Sequence, residues 1–317
     1  MNPLLPVRQF GRSASQTTAL GLGGAVLDRS SREDGIATVR RAVDLGIRYF
    51  DTSPGYCGND SQLIMGEGLV DAPDDVMVAT KLGYFETEAD YRSEDALKRQ
   101  VEDNLRRLRR NSVDVLQVHE ANWESWWKDG VANRGRQIAD EMEYRFADAP
   151  VMRVLRWARD QGLCRHIGIT GNVARQISRV LAAVDVDTFL VAFNYDLITR
   201  SAEIEAFPLA REKRVALILG AIFYGGRLVR PRDEWLTDPP DWMAPEIREK
   251  FSRLYRIQKE AQIPLVEMAV RFALTQADTS VVLVGCAKPA EIKQSVEAAS
   301  AGELPNEVYR ELVDLGR

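Results

Sequence analysis

Histidine and cysteine, the side chains that most often bind zinc in proteins, are scarce in this sequence. Its 317 residues include two histidines and three cysteines. Cys57, Cys164 and Cys286 are too far apart for a paired zinc-binding pattern, and their odd number is typical of a reducing compartment. We therefore expect free thiols and no metal site.

Long hydrophobic runs and an excess of basic charge are also missing. The most apolar stretch, residues 215–223, is far shorter than the roughly 18 residues that a membrane-spanning helix requires. Residues 1–20 lack the apolar core of a signal peptide, and the net charge of −5 disfavours a nucleic-acid surface. The sequence predicts a cytoplasmic protein with no membrane or nucleic-acid partner, and it leaves the oligomeric state open.

What the chain does contain is a regular alternation of two patterns. Short runs rich in Val, Ile and Leu predict strands, and segments of helical period lie between them. The strands fall at residues 18–23, 47–51, 76–81, 113–119, 166–170, 188–194, 215–220 and 280–285. The helices fall at 33–45, 93–109, 151–161, 173–183, 201–213 and 289–299, with extra outer helices at 246–262 and 305–315. We predict an α/β fold, a single (β/α)8 TIM barrel domain over residues 1–317.

Two long segments interrupt this alternation after the fourth and seventh strands, at residues 120–149 and 227–244. Loops of this length in a compact domain are usually functional, and both are expected at the C-terminal mouth of the barrel. The first loop contains Trp123 and Trp126, which we expect to contact a ring-shaped substrate. Covering the barrel rim or an oligomer contact is the alternative role for these rings.

Three of the predicted strands end on ionisable residues. Asp51, Lys81 and His119 close the second, third and fourth strands, and Tyr56 follows the first of them by five positions. Because the ends of parallel barrel strands open onto one mouth, these side chains should converge there. An ammonium beside a phenol would lower the pKa of the phenol, and a carboxylate would keep the ammonium charged. The imidazole would then orient a substrate carbonyl by a hydrogen bond.

Each of these residues also has a structural interpretation when taken alone. Asp51 would be a turn cap, Tyr56 a rim aromatic, Lys81 a strand-end lysine with its ammonium in water, and His119 a hydrogen-bonded loop residue. Together the four favour proton transfer coupled to hydride transfer. The other histidine, His166, begins a predicted strand, so we expect it at the opposite end of the barrel in a structural role.

Four separated stretches carry a family resemblance. They are GIRYFDTSPGYCGNDSQLIMGEGL, VATKLG, DVLQVHEAN and GITGN, in that order along the chain. They resemble the signature motifs of the aldo-keto reductases. The resemblance implies an NAD(P)-dependent oxidoreductase of carbonyls or alcohols, with Asp51, Tyr56, Lys81 and His119 as the catalytic tetrad and Tyr56 as the proton donor in reduction. The N-terminal VRQFGRSASQTTALGLGG resembles the opening β-hairpin of the same family.

The resemblance also implies a site for NAD or NADP along the barrel mouth. The run from Gly21 starts like a Rossmann fingerprint, but Val26 stands where the third glycine belongs, and that interpretation fails. Glycines at the first strand end would instead let the cofactor approach the backbone. Leu190 stands where the family usually has a glutamine. The contacts that we expect in this part of the chain are Gly23, Gly24, Asp51, Thr170, Asn172, Phe223, Gly225 and Leu228.

The segment SVVLVGCAKPAEIKQSVEAA resembles the last strand and helix of the family. Its expected cofactor contacts are Gly285, Ala287, Lys288, Glu291 and Ser295, because a helix N-terminus favours anions. Glu291 stands where NADP-using relatives often have an arginine, and its carboxylate would repel a 2′-phosphate. Lys288 would attract one. The sequence therefore favours NAD over NADP only weakly.

The segments HEAN, GITGN, FNYDLITRSAE and GAIFYGGRL are most similar to the sugar and pyridoxal dehydrogenases of that family. We expect a small sugar or sugar-like carbonyl or alcohol substrate, contacted by Tyr56, His119, Trp123 and Trp126. Two alternatives stay open. One is a nucleotide-binding regulatory barrel subunit without turnover. The other is a metal-dependent barrel hydrolase or isomerase, which a single histidine at the mouth disfavours.

Overall fold

Eight strands of the computed structural model form a closed parallel barrel. The structure describes residues 5–133 and 135–316, so residues 1–4, 134 and 317 of the predicted domain lie outside it. The barrel strands are β3 (Leu20–Gly23), β4 (Tyr49–Asp51), β5 (Met77–Leu82), β6 (Val113–Val118), β7 (Cys164–Gly171), β8 (Thr188–Ala192), β9 (Ala216–Gly220) and β10 (Thr279–Gly285). They pair in chain order, and β10 pairs with β3 to close the ring. The predicted (β/α)8 barrel is confirmed.

A two-stranded antiparallel hairpin precedes the barrel, as the resemblance implied. It consists of β1 (Val7–Gln9) and β2 (Gln16–Thr18). Phe10 follows β1 and packs into the N-terminal end of the barrel, where its ring lies 5.7 Å from that of Tyr49 and 5.5 Å from that of His166. The hairpin therefore closes the end of the barrel opposite the mouth, and His166 lies at the end where it was expected.

Helices cover the outside of the barrel. They are α1 (Arg32–Asp44), α2 (Ser61–Gly68), α3 (Glu94–Leu108), α4 (Pro150–Asp160), α5 (Ala174–Ala183), α6 (Ser201–Glu205), α7 (Phe207–Lys213), α8 (Glu234–Thr237), α9 (Pro245–Ala261), α10 (Leu265–Leu274), α11 (Pro289–Ser300) and α12 (Asn306–Gly316). Serine hydroxyls begin two of them, since Ser31 accepts a hydrogen bond from the Asp34 amide and Ser93 one from the Ala96 amide. None of the helices in the described ranges is long and apolar enough to cross a bilayer.

The inside of the barrel changes character along its axis. Its lower part is a closed apolar cluster of Phe10, Tyr49, Met77, Ala79, Val115, Leu190, Ala216, Ile218, Val281 and Leu283. Toward the mouth, the inward side chains of β4, β5 and β6 become polar, with Asp51, Lys81 and Gln117 all buried. The apolar part fills the barrel, so the polar residues are held at a fixed depth beneath the opening.

The helices differ from the sequence prediction in four places. The predicted helix 201–213 is two helices, because the backbone breaks at Ala206 and Pro208 has no amide hydrogen to continue the first one. Helices α2, α8 and α10 were not predicted. Helix α2 carries two glycines, which disfavour a helix, and α8 has only four residues within the second long loop. Helix α10 is mostly apolar and follows α9 after a short turn.

We predict that Phe10→Ala lowers the free energy of unfolding by about 3–5 kcal/mol, because it leaves a cavity at the closed end of the barrel. The matched control is Val7→Ala on the same hairpin, where the side chain is 61% exposed and the expected change is within about 0.5 kcal/mol. Urea unfolding of both variants measures the difference. Equal stability of the two variants would show that the hairpin does not close the barrel as described.

Candidate active site

A buried ion pair lies at the base of the barrel mouth. Lys81 in β5 donates a hydrogen bond to Asp51 Oδ1 at the end of β4 and a second, of 2.8 Å, to the carbonyl oxygen of Thr52. Gln117 in β6 donates to Asp51 Oδ2 at 3.2 Å. Burial lowers the pKa of Lys81 and raises that of Asp51, and the opposite charge of each partner counteracts both shifts. Three neighbouring strands thus share one hydrogen-bonded charge pair.

Tyr56 and His119 lie directly above this pair. The ammonium nitrogen of Lys81 is 5.0 Å from the centroid of the Tyr56 ring. The hydroxyl of Tyr56 is 3.3 Å from His119 Nε2, and the hydroxyl of Ser53 is 2.9 Å from Nδ1 of the same imidazole. Both ring nitrogens of His119 therefore have partners, which fixes the orientation of the ring. The structure brings together the four residues that the strand ends predicted.

The ionisation of this group differs from the expectation in one respect. A lowered pKa was expected for Tyr56, but burial of the hydroxyl raises it well above its ordinary value, and the charge of Asp51 adds to the effect. Asp51 already neutralises much of the ammonium's field at the phenol. Burial, together with the Lys81 charge, lowers the pKa of His119 well below its usual value. The arrangement holds a protonated phenol next to a neutral imidazole.

A cavity of about 950 Å³ opens from this group, at the upper end of the range of about 300–1,000 Å³ for small-molecule and cofactor sites. It extends from Asp51 and Tyr56 past the ends of β8, β9 and β10 to the first turns of α11. Of the expected cofactor contacts, it is lined by Gly23, Gly24, Asp51, Phe223, Gly225, Gly285, Ala287, Lys288, Glu291 and Ser295. Most of the expected contacts therefore share one wall.

Three expected cofactor contacts have other surroundings. Leu228 is fully buried in the apolar core behind the cavity wall. Thr170 is buried at the end of β7, where its carbonyl accepts a hydrogen bond from the Ala121 amide. Asn172 is exposed, and its carbonyl accepts a hydrogen bond from Asn194. The sequence motifs indicated the right loops, but the side chains of these three residues lie outside the cavity.

Part of the cavity wall was not predicted from the sequence. Arg29 and Ser30 contribute from the segment after β3, Val229 and Arg232 from the loop after β9, Phe193 from the end of β8 and Gln294 from α11. Phe193 is 45% exposed and has a left-handed backbone with φ of 63°. The two arginines add positive charge to that of the expected Lys288, at places where no sequence motif indicated it.

The first turn of α11 uses the carboxylate of Glu291 for its own cap. Glu291 Oε2 accepts hydrogen bonds from the amides of Ala287 at 2.7 Å and Lys288 at 3.3 Å. The hydroxyl of Ser295 donates to the carbonyl of Glu291 at 3.0 Å. The amides that were expected to bind a phosphate or ribose are thus already partnered by a side chain of the helix.

The two tryptophans that were expected to contact a substrate have different roles. Trp126 is fully buried and its indole donates a 2.7 Å hydrogen bond to the carbonyl of His119, so it supports the histidine and is not available to a substrate. Trp123 is only partly buried. Its ring lies 5.6 Å from that of Tyr84, which in turn lies 4.7 Å from the imidazole of His119. Trp123 therefore borders the mouth, and Trp126 lies behind it.

Glu120 is a further ionisable residue, which was expected only as the start of a long loop. It follows His119 directly, has a left-handed backbone with φ of 51° and is 7% exposed. Burial raises the pKa of its carboxyl to about 7, although the charge of Lys81 and a hydrogen bond from Asn122 counteract the shift. Its Oε2 has no hydrogen-bond partner among the described residues. Its only sequence signal was its position next to a strand-end histidine.

We predict that Glu120→Gln makes the stability of the protein less dependent on pH. The folded state raises the pKa of this carboxyl from 4.5 to about 7, so it retains the proton that the unfolded chain releases. As the pH rises from about 4.5 to about 7, the free energy of unfolding of the wild type should therefore fall relative to that of the variant, by up to about 3 kcal/mol. Urea unfolding at several pH values checks this. A constant difference between the two proteins across that range would contradict the raised pKa.

The described residues offer little to a metal ion. In those ranges, no group of three or more His, Cys, Asp or Glu side chains comes together in a way that could hold one. Cys57, Cys164 and Cys286 are free thiols, as expected. The chemistry available at the mouth is that of a phenol, an imidazole and a buried ion pair beside a long cavity.

Comparisons with known proteins agree with this geometry. The model of the aldo/keto reductase family matches residues 19–317. Pyridoxal 4-dehydrogenase from Microbacterium luteolum is 29% identical over 91% of this chain and 91% of that protein. L-galactose dehydrogenase from Arabidopsis thaliana is 28% identical over 93% of this chain and 88% of that protein.

The likeness extends to the fold of a solved structure. An aldo-keto reductase from Bacillus halodurans superimposes with a TM-score of 0.77, covering 99% of this chain and 97% of that one at 22% identity. The family resemblance seen in the four sequence motifs is confirmed over nearly the whole chain. The chain belongs to the aldo/keto reductase family and is an NAD(P)-dependent oxidoreductase.

Proposed function

We propose that this protein transfers a hydride between a nicotinamide cofactor and the carbonyl or alcohol carbon of a small sugar or sugar-like molecule. The observation that carries the proposal is the contact of 3.3 Å between the Tyr56 hydroxyl and His119 Nε2, above the Lys81–Asp51 pair and at the end of the cavity. The group combines a proton donor, a hydrogen-bonding imidazole and a nearby cation.

Tyr56 is the general acid in the direction of reduction. Its phenol is protonated because burial raises its pKa, so a proton is available for a carbonyl oxygen that becomes an alkoxide. The phenolate left behind is stabilised by the ammonium of Lys81, which lies 5.0 Å from the ring centroid. In the direction of oxidation the same phenolate removes the proton of an alcohol.

His119 positions the substrate oxygen. Its pKa is far below neutrality, so the imidazole is uncharged and can hold one hydrogen on a ring nitrogen. Ser53, Tyr84 and Trp126 surround the ring or its backbone and keep it facing Tyr56. An oxygen held between the phenol and the imidazole has a single orientation toward the cavity.

The residues of the cavity wall fit a dinucleotide. A bound nicotinamide supplies or accepts the hydride in this family. Gly23 and Gly285 carry no side chain on the wall at the ends of β3 and β10, so a flat or extended group can approach the backbone there. A Cβ at Gly24 would instead point inward, 2.5 Å from Ser61 Oγ. The cationic side chains of Arg29, Arg232 and Lys288 would hold the phosphates of the dinucleotide.

We favour NAD over NADP as the cofactor. The carboxylate of Glu291 lies on the cavity wall next to Lys288, where it would repel an additional phosphate. Because this carboxylate also caps α11, the preference is expected to be small.

Cytoplasmic localisation and a single domain over residues 1–317 stay predictions.

The proposed substrate class follows from the relatives and the mouth. Pyridoxal and L-galactose are the compounds in the names of the two similar dehydrogenases, and both carry hydroxyl groups beside a carbonyl or carbinol carbon. The half-buried ring of Trp123 borders the mouth and suits a ring-shaped compound. A regulatory barrel without turnover is the alternative, and the intact group of Asp51, Tyr56, Lys81 and His119 speaks against it.

We predict that Tyr56→Phe lowers kcat/KM by about 10²- to 10⁴-fold, since it removes the proton donor and leaves the ring in place. Binding of NADH, followed by fluorescence titration, should stay within about twofold because the phenol is not needed to hold the dinucleotide. The control is Tyr309→Phe in α12, whose ring stacks on Phe272 and is not part of the cavity wall. Turnover by Tyr56→Phe equal to that of Tyr309→Phe would refute the assignment.

The cofactor preference gives another prediction. Glu291→Gln should increase the affinity for NADPH relative to NADH by about two- to fivefold, because it removes one negative charge at a solvent-exposed site. Glu297→Gln is the matched control, since Glu297 lies on the same helix and pairs with Lys293 away from the cavity wall. Titration of each protein with both dinucleotides gives the ratio. An identical ratio in all three proteins would mean that Glu291 does not set the preference.

A further inference from the structure

A single turn after β4 carries both hydrogen-bond partners of the His119 imidazole. In this turn, residues 53–56, the amide of Tyr56 donates a 3.3 Å hydrogen bond to the carbonyl of Ser53. Pro54 takes the second position of the turn, where its fixed φ is favourable. The hydroxyl of Ser53 lies 2.9 Å from Nδ1 of the imidazole, and that of Tyr56 lies 3.3 Å from Nε2. The turn therefore determines how each ring nitrogen is hydrogen-bonded.

The barrel and the neighbouring aromatic rings hold this turn in place. The amide of Thr52 donates a 2.9 Å hydrogen bond to the carbonyl of Ala79, which continues the pairing of β4 with β5 up to the turn. A Cβ at Gly55 would lie 2.6 Å from the ring of Tyr84, so only glycine lets the turn pack this closely. The same ring lies 4.7 Å from the imidazole. The backbone therefore sets the position of Ser53 relative to Nδ1.

A neutral imidazole has one hydrogen, and the hydrogen bond at one ring nitrogen decides which of the two nitrogens bears it. If Nδ1 bore the hydrogen, the oxygen of Ser53 would accept it, and the hydroxyl hydrogen of Ser53 would need another acceptor. Ser53 is completely buried, and among the described residues its hydroxyl has no partner besides Nδ1. If Nε2 bears the hydrogen, the Ser53 hydroxyl donates to Nδ1, and both the serine and the imidazole hydrogens have acceptors. The second arrangement is the more favourable one.

The two tautomers also differ in the direction of the Tyr56 hydroxyl hydrogen. With the hydrogen on Nδ1, Nε2 is an acceptor and attracts the hydrogen of the phenol toward the imidazole. With the hydrogen on Nε2, the phenol oxygen accepts from the imidazole, and its own hydrogen is free to face the cavity that Tyr56 lines. Only this second arrangement offers a substrate oxygen two donors, the phenol and Nε2.

We propose that Ser53 is a positioning residue, whose hydroxyl keeps the hydrogen of His119 on Nε2 and thereby leaves the phenol hydrogen of Tyr56 free for the substrate. The inference rests on the proposed function, because it concerns the same proton transfer. In reduction, the substrate oxygen takes the proton of Tyr56. The Nε2 hydrogen stays on the imidazole and stabilises the charge that develops on that oxygen. Ser53 acts only through His119, since it is not part of the cavity wall.

The tautomer can be measured directly, because the sequence contains only two histidines, His119 and His166. Long-range hydrogen–nitrogen correlation NMR spectra of protein with isotopically labelled histidine show which ring nitrogen bears the hydrogen. The variant His166→Gln identifies the signals that belong to His119. We expect the wild type to have the hydrogen on Nε2. A hydrogen on Nδ1 in the wild type would overturn the proposal.

We predict that Ser53→Ala abolishes the preference for Nε2, because Nδ1 then has no donor. Signals of both tautomers, or their average, should replace those of the single tautomer of His119. The value of kcat should fall by about 10- to 100-fold, while KM for the carbonyl substrate stays within about threefold, because the imidazole itself is still present. A spectrum of His119 that is the same in Ser53→Ala as in the wild type would contradict the proposal.

The matched control is Ser280→Ala. Ser280 lies in β10 toward the closed end of the barrel, is 5% exposed, and donates a 3.0 Å hydrogen bond to the carbonyl of Gln9. Each of the two variants loses the hydrogen bond of one buried serine, so the Tm should fall by similar small amounts. Only Ser53→Ala should change kcat and the signals of His119. Equal kcat in the two variants would assign Ser53 a structural role and overturn the proposal.

Failure of this proposal and failure of the proposed function are distinguishable. The tautomer is measured without substrate or cofactor, so the NMR result does not depend on finding a compound that reacts. The kinetic measurements use glyceraldehyde, L-galactose and pyridoxal with the oxidised and reduced forms of NAD and NADP. A wild type that turns over none of these contradicts the proposed function. A wild type that is active but has the hydrogen on Nδ1 contradicts only the role of Ser53.

Discussion

The buried ion pair of Lys81 and Asp51 is the constraint on which the mouth of this barrel depends. Both side chains are almost completely buried, and a charge in such a place is strongly destabilising unless it is paired and hydrogen-bonded. The pair meets this condition only because β4, β5 and β6 are neighbours, which places Gln117 and the Thr52 carbonyl beside it. The buried charge pair therefore requires that β4, β5 and β6 lie next to one another in the barrel.

That pair also determines what the groups above it can do. The field of the ammonium at Tyr56 is partly cancelled by Asp51, so the phenol keeps its proton in the free protein. In the proposed mechanism Lys81 then acts mainly after the proton has left, by stabilising a phenolate, and less by lowering the pKa of Tyr56 beforehand. Interactions that strengthen as charge develops are the ones that accelerate a reaction. The geometry suits a proton donor whose conjugate base, the phenolate, is stabilised by a nearby cation.

The fold and the side chains that meet at the mouth could be predicted from the sequence for one physical reason. In a parallel barrel, buried strands are apolar runs, and the polar residue at which each run ends lies at the mouth, as Asp51, Lys81 and His119 do. Residues whose position depends on packing between distant segments were not readable. Trp126 and Leu228 were expected to contact ligands, and their burial follows from how the two long loops fold back. The left-handed turn at Glu120 left no mark in the local sequence.

The end of the cavity next to α11 was also only partly predictable from the sequence, in this case because of its electrostatics. A glutamate in the first turn of a helix is compatible with repelling a phosphate and with capping the helix, and sequence alone cannot choose between these roles. In the structure Glu291 does the capping through two backbone amides and still lies on the cavity wall near Lys288. Because part of its charge is used by those amides, its repulsion of a phosphate is reduced, while Arg29, Arg232 and Lys288 contribute positive charge to the wall. Under the proposed function, discrimination between the two dinucleotides at this end depends on a balance of several charges on the wall, and single substitutions there should change the preference.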